Sequence, residues 1–149
     1  MTRQFPILLV EDDLDTVELI KRVAQKGFPE AVFIHVTSFN EAVGYLYNIE
    51  GLGPKLALLD INLDGDKNGL DFLTLMQQHP QGRFLPVVVL SATGTETNIK
   101  AAYRLGAASF TQKPFSLKGW QSFVTLLRMY WYETVLLPNT WFEKQNSPG

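Results

Sequence analysis

Apolar positions along the chain fall into two alternating patterns. Nearly continuous runs of Val, Ile and Leu occupy residues 7–10, 55–59 and 86–90, and more mixed runs occupy 31–36 and 109–112. Short continuous runs of this kind predict strands buried on both faces of a parallel sheet, and the two mixed ones fit its edges. Between the runs the spacing becomes helical. Leu14, Val17, Ile20, Val23 and Ala24 recur every three to four residues, and Gly27 and Pro29 close that stretch. Ser38-x-x-Glu41 is a capping box ahead of 42–47. Leu70, Phe72, Leu73 and Met76 form a third stripe ending before Pro80; a fourth helix spans 96–105 with Gly106 as its stop; a fifth, long helix begins at Ser116. Five strands alternating with five helices predict an α/β fold, a (βα)5 doubly wound parallel sheet with right-handed crossovers.

In such sheets ligands gather beyond the carboxyl ends of the strands. The first strand ends in Glu11-Asp12-Asp13, the third in Asp60, the fourth in Ser91, and the fifth just before Lys113-Pro114. Carboxylates grouped without His or Cys are hard oxygen donors, suited to Mg²⁺ and unsuited to zinc. A carboxylate can also act as a nucleophile in phosphoryl transfer, with a metal ion, an ammonium and a hydroxyl stabilising the phosphoryl oxygens.

Composition narrows the field by exclusion. The 149 residues suit one domain, and 46% hydrophobic content excludes wholesale disorder. A net charge of −2 offers no footprint for nucleic acid and no polybasic anchor for a membrane. With no cysteine, disulfide and thiolate chemistry are excluded. No apolar run approaches the roughly 20 residues that span a bilayer, and the N-terminus lacks the apolar core of a secretion signal. A cytoplasmic location is expected.

Glu11-Asp12, Asp60, Ser91-Ala92 and Lys113-Pro114-Phe115 together resemble the signature of the response-regulator receiver domain of two-component signalling. The resemblance covers about residues 5–128. It implies a flavodoxin-like sheet of order 2-1-3-4-5 and phosphorylation of Asp60 by a sensor histidine kinase. It also implies Mg²⁺ (or Mn²⁺) held by Asp12 and Asp60, with Glu11 assisting through water and Asn62 offering its backbone carbonyl. Ser91 and Lys113 would contact the phosphoryl group, and the Lys113–Pro114 bond would be cis. The departures are Glu at position 11, Phe110 in place of a switch Tyr, and a 60–69 loop one residue longer than usual, with Asp64 where a Pro is frequent. Residues 1–128 are assigned to the receiver and 129–149 to a C-terminal helix extension and tail, too short for an output domain, so output must come through an unknown downstream protein. The alternative function is a phosphorylation-independent interaction module on the same fold.

Other signals are weaker. Asp64-Gly65-Asp66-Lys67-Asn68-Gly69 resembles half of an EF-hand loop, but Leu75 stands where the bidentate Glu belongs, and a solvated turn accounts better for it. Asp60-Ile61-Asn62 is similar to the nucleophile motif of haloacid-dehalogenase phosphatases, but Asn62 cannot serve as their general acid. A free-standing phosphatase is therefore not expected. His35 and His79 have no partner at metal or triad spacing and are read as structural or surface residues. Gly51-Leu52-Gly53-Pro54 reads as a turn.

Trp120, Phe123, Val124, Leu127, Tyr130, Trp131 and Val135 keep helical spacing, which predicts a last helix reaching Leu136 before Pro138. Trp120, Tyr130, Trp131, Val135 and Leu136 are the candidate interface of a homodimer. The stretch from Tyr130 to Pro138 resembles the small single-domain regulators paired with bacterial and cyanobacterial phytochromes, which dimerise through this end of the domain.

Overall fold

The structure, a computed structural model, describes residues 3–148. In chain order its elements are β1 (Phe5–Val10), α1 (Leu14–Gly27), β2 (Ala31–Val36), α2 (Phe39–Asn48), β3 (Gly51–Leu52), β4 (Leu56–Asp60), α3 (Gly69–Gln78), β5 (Val87–Ser91), α4 (Glu96–Arg104), β6 (Ser109–Gln112), α5 (Leu117–Leu127), a π-helical segment (Arg128–Thr134) and β7 (Trp141–Phe142). Five strands form a parallel sheet of order β2-β1-β4-β5-β6. With β3 set apart in a separate pair, this is the expected 2-1-3-4-5 order, and the two mixed strands lie at the edges.

Successive strand residues point to opposite faces, so each central strand feeds two cores. Leu8, Val10, Ala57, Leu59, Val87 and Val89 pack with Ala42, Leu46, Phe72, Leu73 and Met76 of α2 and α3. Ile7, Leu9, Leu56, Leu58, Val88 and Leu90 pack on the other face with α1 and α5. This two-sided burial is why those strands read as continuous apolar runs rather than alternating ones.

Several expectations are corrected. Leu14 stands at the exposed start of α1 and not on its buried stripe. The capping box at Ser38 is half formed: Ser38 Oγ accepts the Glu41 N–H, but the Glu41 carboxylate accepts from Thr37 instead of the Ser38 amide. A complete box opens α3, where Asn68 and Asp71 cap one another's amides. That use of Asn68 and Asp71 suits the solvated-turn reading of the 64–69 loop. Among the described residues there is no cis peptide bond, so Lys113–Pro114 is trans. Trp120 is buried in the core against α1, and so presents no surface for an interface.

The C-terminal stretch differs most. The helix continues past Leu127 but as a π-helix, and it ends at Thr134 and not Leu136. The wider winding turns both Trp131 and Tyr132 toward the core. Tyr132 packs edge-on against Phe5 and Phe28, and Arg128 lies over its ring while paired at 2.7 Å with buried Glu30. The tail then folds back. Trp141 and Phe142 pair antiparallel with Leu52 and Gly51, which are a strand and not the expected turn. Phe142 is fully buried against His79, whose ring also meets Tyr47. Gly53 makes room for it, since a Cβ there would lie 2.1 Å from the ring.

Candidate functional site

Strand register assembles the polar cluster. Val10 is paired with Leu59, Asp60 with Leu90, and Ser91 with Gln112. Each strand thus runs out of apolar residues at nearly the same level of the sheet. Glu11, Asp60 and Ser91 follow as buried polar residues at the carboxyl end of the sheet, and Lys113 joins them from the end of β6. The Lys113 N–H donates to the Ser91 carbonyl at 2.8 Å, continuing the ladder one residue beyond the strand.

Lys113 Nζ lies 2.7 Å from Glu11 Oε1 and 3.4 Å from Asp60 Oδ2. Burial, reinforced by the Asp60 carboxylate and opposed by Lys113, pushes the Glu11 carboxyl up to about 7. Burial alone would lower the Lys113 ammonium, but Glu11 and Asp60 more than offset it and hold it above its ordinary value. The Asn62 N–H donates to Asp60 Oδ1 at 3.0 Å, and the Asp13 N–H to Glu11 Oε2 at 3.2 Å. Ser91 Oγ donates to the Thr93 carbonyl at 2.6 Å and accepts from Asn62 Nδ2 at 3.4 Å, so its hydroxyl is engaged away from Asp60. Phe110 is half-buried against the α2–α3 core, and its N–H donates to the Tyr103 hydroxyl at 3.2 Å.

One carboxylate oxygen from each of Glu11, Asp12 and Asp60 lies within 4.8 Å of the others. Like charges this close repel, and the repulsion is relieved by a proton, by Lys113 or by a divalent cation. The all-oxygen donor set fits Mg²⁺ or Mn²⁺. Asp13 stands apart, capping α1 by accepting the Asp15 N–H.

The structure also brings in residues that sequence reasoning missed. The Asp64 N–H donates to Asp12 Oδ2 at 3.2 Å, a bond that Pro at this position could not make. His35 Nε2 is 2.9 Å from the Glu11 carbonyl oxygen. Neither contact leaves a mark in spacing, because both depend on how loops close.

A model of the response regulator receiver domain matches residues 7–124. The chain belongs to the response regulator receiver domain family. Response regulator Rcp1 of Synechocystis is 31% identical over 136 residues, which cover 89% of this chain and 92% of that protein. The crystal structure of the phosphorylated cyanobacterial phytochrome response regulator RcpA superposes with a TM-score of 0.81 at 29% identity, covering 91% of this chain and 99% of that one. The Mn²⁺-bound form of Rcp1 gives 0.78 at 30% identity, covering 90% and 99%. Receiver domains take phosphoryl groups from histidine kinases, and this chain is a signalling protein rather than a dedicated enzyme. The family match spans all four strand ends. No helix among the described residues is long and apolar enough to cross a membrane.

Proposed function

We propose that this receiver accepts a phosphoryl group on Asp60 from a sensor histidine kinase of the phytochrome class. The observation that carries the reading is the buried Asp60 carboxylate with Lys113 Nζ at 3.4 Å and the Glu11 and Asp12 oxygens within 4.8 Å. An Asp60 oxygen attacks the phosphorus of the phosphohistidine; a P–O bond forms as the P–N bond breaks, and the imidazole nitrogen keeps the electron pair. Lys113 offsets charge on the transferring oxygens. Glu11, Asp12, Asp60 and the Asn62 carbonyl are the groups that would hold Mg²⁺ or Mn²⁺, which when bound supplies further neutralisation of those oxygens. Ser91 leaves the Thr93 carbonyl to hydrogen-bond the new phosphoryl group. Phe110 then reorients in the space beside it, shifting a two-state equilibrium on the α4–β6–α5 face. Mg²⁺-dependent labelling by acetyl phosphate, read by intact mass, tests this. Wild type gains one phosphoryl group and Asp60→Ala gains none; labelling that persists in the variant overturns the assignment.

Signalling through a homodimer is the second part of the proposal. Leu126, Met129, Tyr130 and Leu136 leave large apolar area exposed beside half-buried Trp131 and Val135. Contiguous apolar surface of this kind marks interfaces. Tyr130→Asp adds a charge outside the core and should convert a dimer to a monomer in size-exclusion chromatography with light scattering. A monomeric wild type removes the dimer from the proposal.

A further inference from the structure

His35 stands on the edge strand β2, outside the carboxylate cluster, yet its ring reaches the backbone that carries that cluster. Nε2 lies 2.9 Å from the Glu11 carbonyl oxygen. A carbonyl only accepts, so the ring carries its proton on Nε2 and donates. This bond stands where the strand ladder gives out. The Glu11 N–H donates to the Val36 carbonyl at 3.1 Å as the last rung between β1 and β2. Beyond it Thr37 and Ser38 leave the ladder to open α2, the Thr37 N–H turning to Glu41 Oε1 and Ser38 Oγ accepting from the Glu41 amide. The His35 side chain replaces the rung that the departing backbone does not make.

The bonded carbonyl belongs to the peptide that joins Glu11 to Asp12. Rotation of that peptide plane swings Asp12 relative to Glu11, and both side chains must face Asp60 to bring their oxygens within 4.8 Å. The side chains have their own restraints, from the Asp13 N–H on Glu11 and the Asp64 N–H on Asp12. His35 adds one on the backbone between them. We infer that His35 is a positioning residue for the metal-binding carboxylates: its Nε2–H donates to the Glu11 carbonyl and locks the Glu11–Asp12 peptide in the orientation that turns both carboxylates toward Asp60. The inference rests on the metal-dependent reading proposed above and deepens it.

The test separates hydrogen bonding from space filling. His35→Gln keeps an N–H donor at similar reach, and His35→Leu keeps bulk without a donor. Affinity is read with Mn²⁺ alone, from the signal of the free ion in electron paramagnetic resonance, and the thermal midpoint confirms that each variant is folded. Outer groups that orient metal ligands typically contribute 10–100-fold in affinity, so His35→Leu should weaken Mn²⁺ binding about tenfold while His35→Gln stays within about twofold of wild type. In acetyl phosphate labelling, the half-saturating Mg²⁺ concentration should rise in His35→Leu by the same factor. Wild-type affinity in His35→Leu, or equal loss in both variants, overturns the role of the bond. A wild type that binds Mn²⁺ but cannot be labelled sinks the phosphoryl-acceptor reading and leaves the His35 result standing. A wild type that binds no Mn²⁺ overturns both.

Discussion

A methyl group at Gly69 would meet the Asp60 carbonyl oxygen at 2.4 Å and the Ile61 Cα at 2.7 Å. Both are backbone atoms at the end of β4, and the Gly69 N–H already donates to the Ile61 carbonyl at 3.1 Å. The first turn of α3 therefore lies directly on the strand end that presents Asp60, and a side chain can be admitted only by moving one of them. Gly69→Ala should destabilise the fold by about 1–3 kcal/mol, the range for overpacking a closed site, and weaken Mn²⁺ binding as well. Urea midpoints and the same Mn²⁺ titration check both effects. An alanine variant with wild-type values would mean that the contact relaxes without cost. At this scale the carboxylates were legible because each polar residue interrupts an apolar run at a strand end. Gly69 was legible only as the end of a loop, since nothing in local sequence reports what approaches a glycine from across the chain.

The main sheet was legible for a physical reason: burial on two faces leaves unbroken Val, Ile and Leu, and the crossovers leave helical stripes. The tail obeys neither rule. A two-residue strand has no period, so β7 could not be read from Trp141 and Phe142, nor β3 from Gly51 and Leu52. Apolar spacing suited to an α-helix also hid the π winding after Leu127, which brings adjacent Trp131 and Tyr132 onto the core together. What the tail contributes can be measured. Phe142 fills a slot floored by Gly53 and walled by His79, while its neighbour Trp141 is exposed. Truncating a buried Phe to Ala costs about 3–5 kcal/mol, with the lower end expected where a terminal strand can undock. Phe142→Ala and removal of residues 139–149 should thus lose similar stability, near 3 kcal/mol in denaturant titration, and Trp141→Ala much less. Equal losses for Trp141→Ala and Phe142→Ala would show that the buried ring is not what holds the tail.

Across the whole molecule, buried titratable groups far from the carboxylate cluster tie stability to pH with a definite sign. His79 caps the end of α3: its Nδ1 accepts the Gln81 and Gly82 N–H groups at 3.1 and 3.0 Å. Burial between Tyr47 and Phe142 pushes its pKa down from 6.5, opposed by the Leu46 carbonyl. The unfolded chain binds this proton more readily, so the His79 contribution is full above about 6.5 and is lost as pH falls through the lowered folded value. Glu30 has the same sign lower on the scale. Its hydrogen bonds from Arg128, at 2.7 and 2.8 Å, hold its carboxyl below the ordinary 4.5, and Arg128 is raised in turn. That contribution is full above about 4.5 and disappears as Glu30 is protonated. Glu11 works in the opposite direction in the metal-free protein: raised to about 7, it withdraws stability as pH climbs from 4.5 through 7. Its effect is common to variants that leave the cluster intact, so differences from wild type isolate the other two groups. His79→Asn, whose Oδ1 can take over the cap, should flatten only the segment below about 6.5. Glu30→Gln should lower stability at neutral pH by about 2 kcal/mol and flatten only the segment below about 4.5. Urea midpoints measured from pH 3.5 to 8 without divalent metal read both segments. If both variants merely shift the whole curve downward in parallel, protonation of these two groups is not what drives acid unfolding.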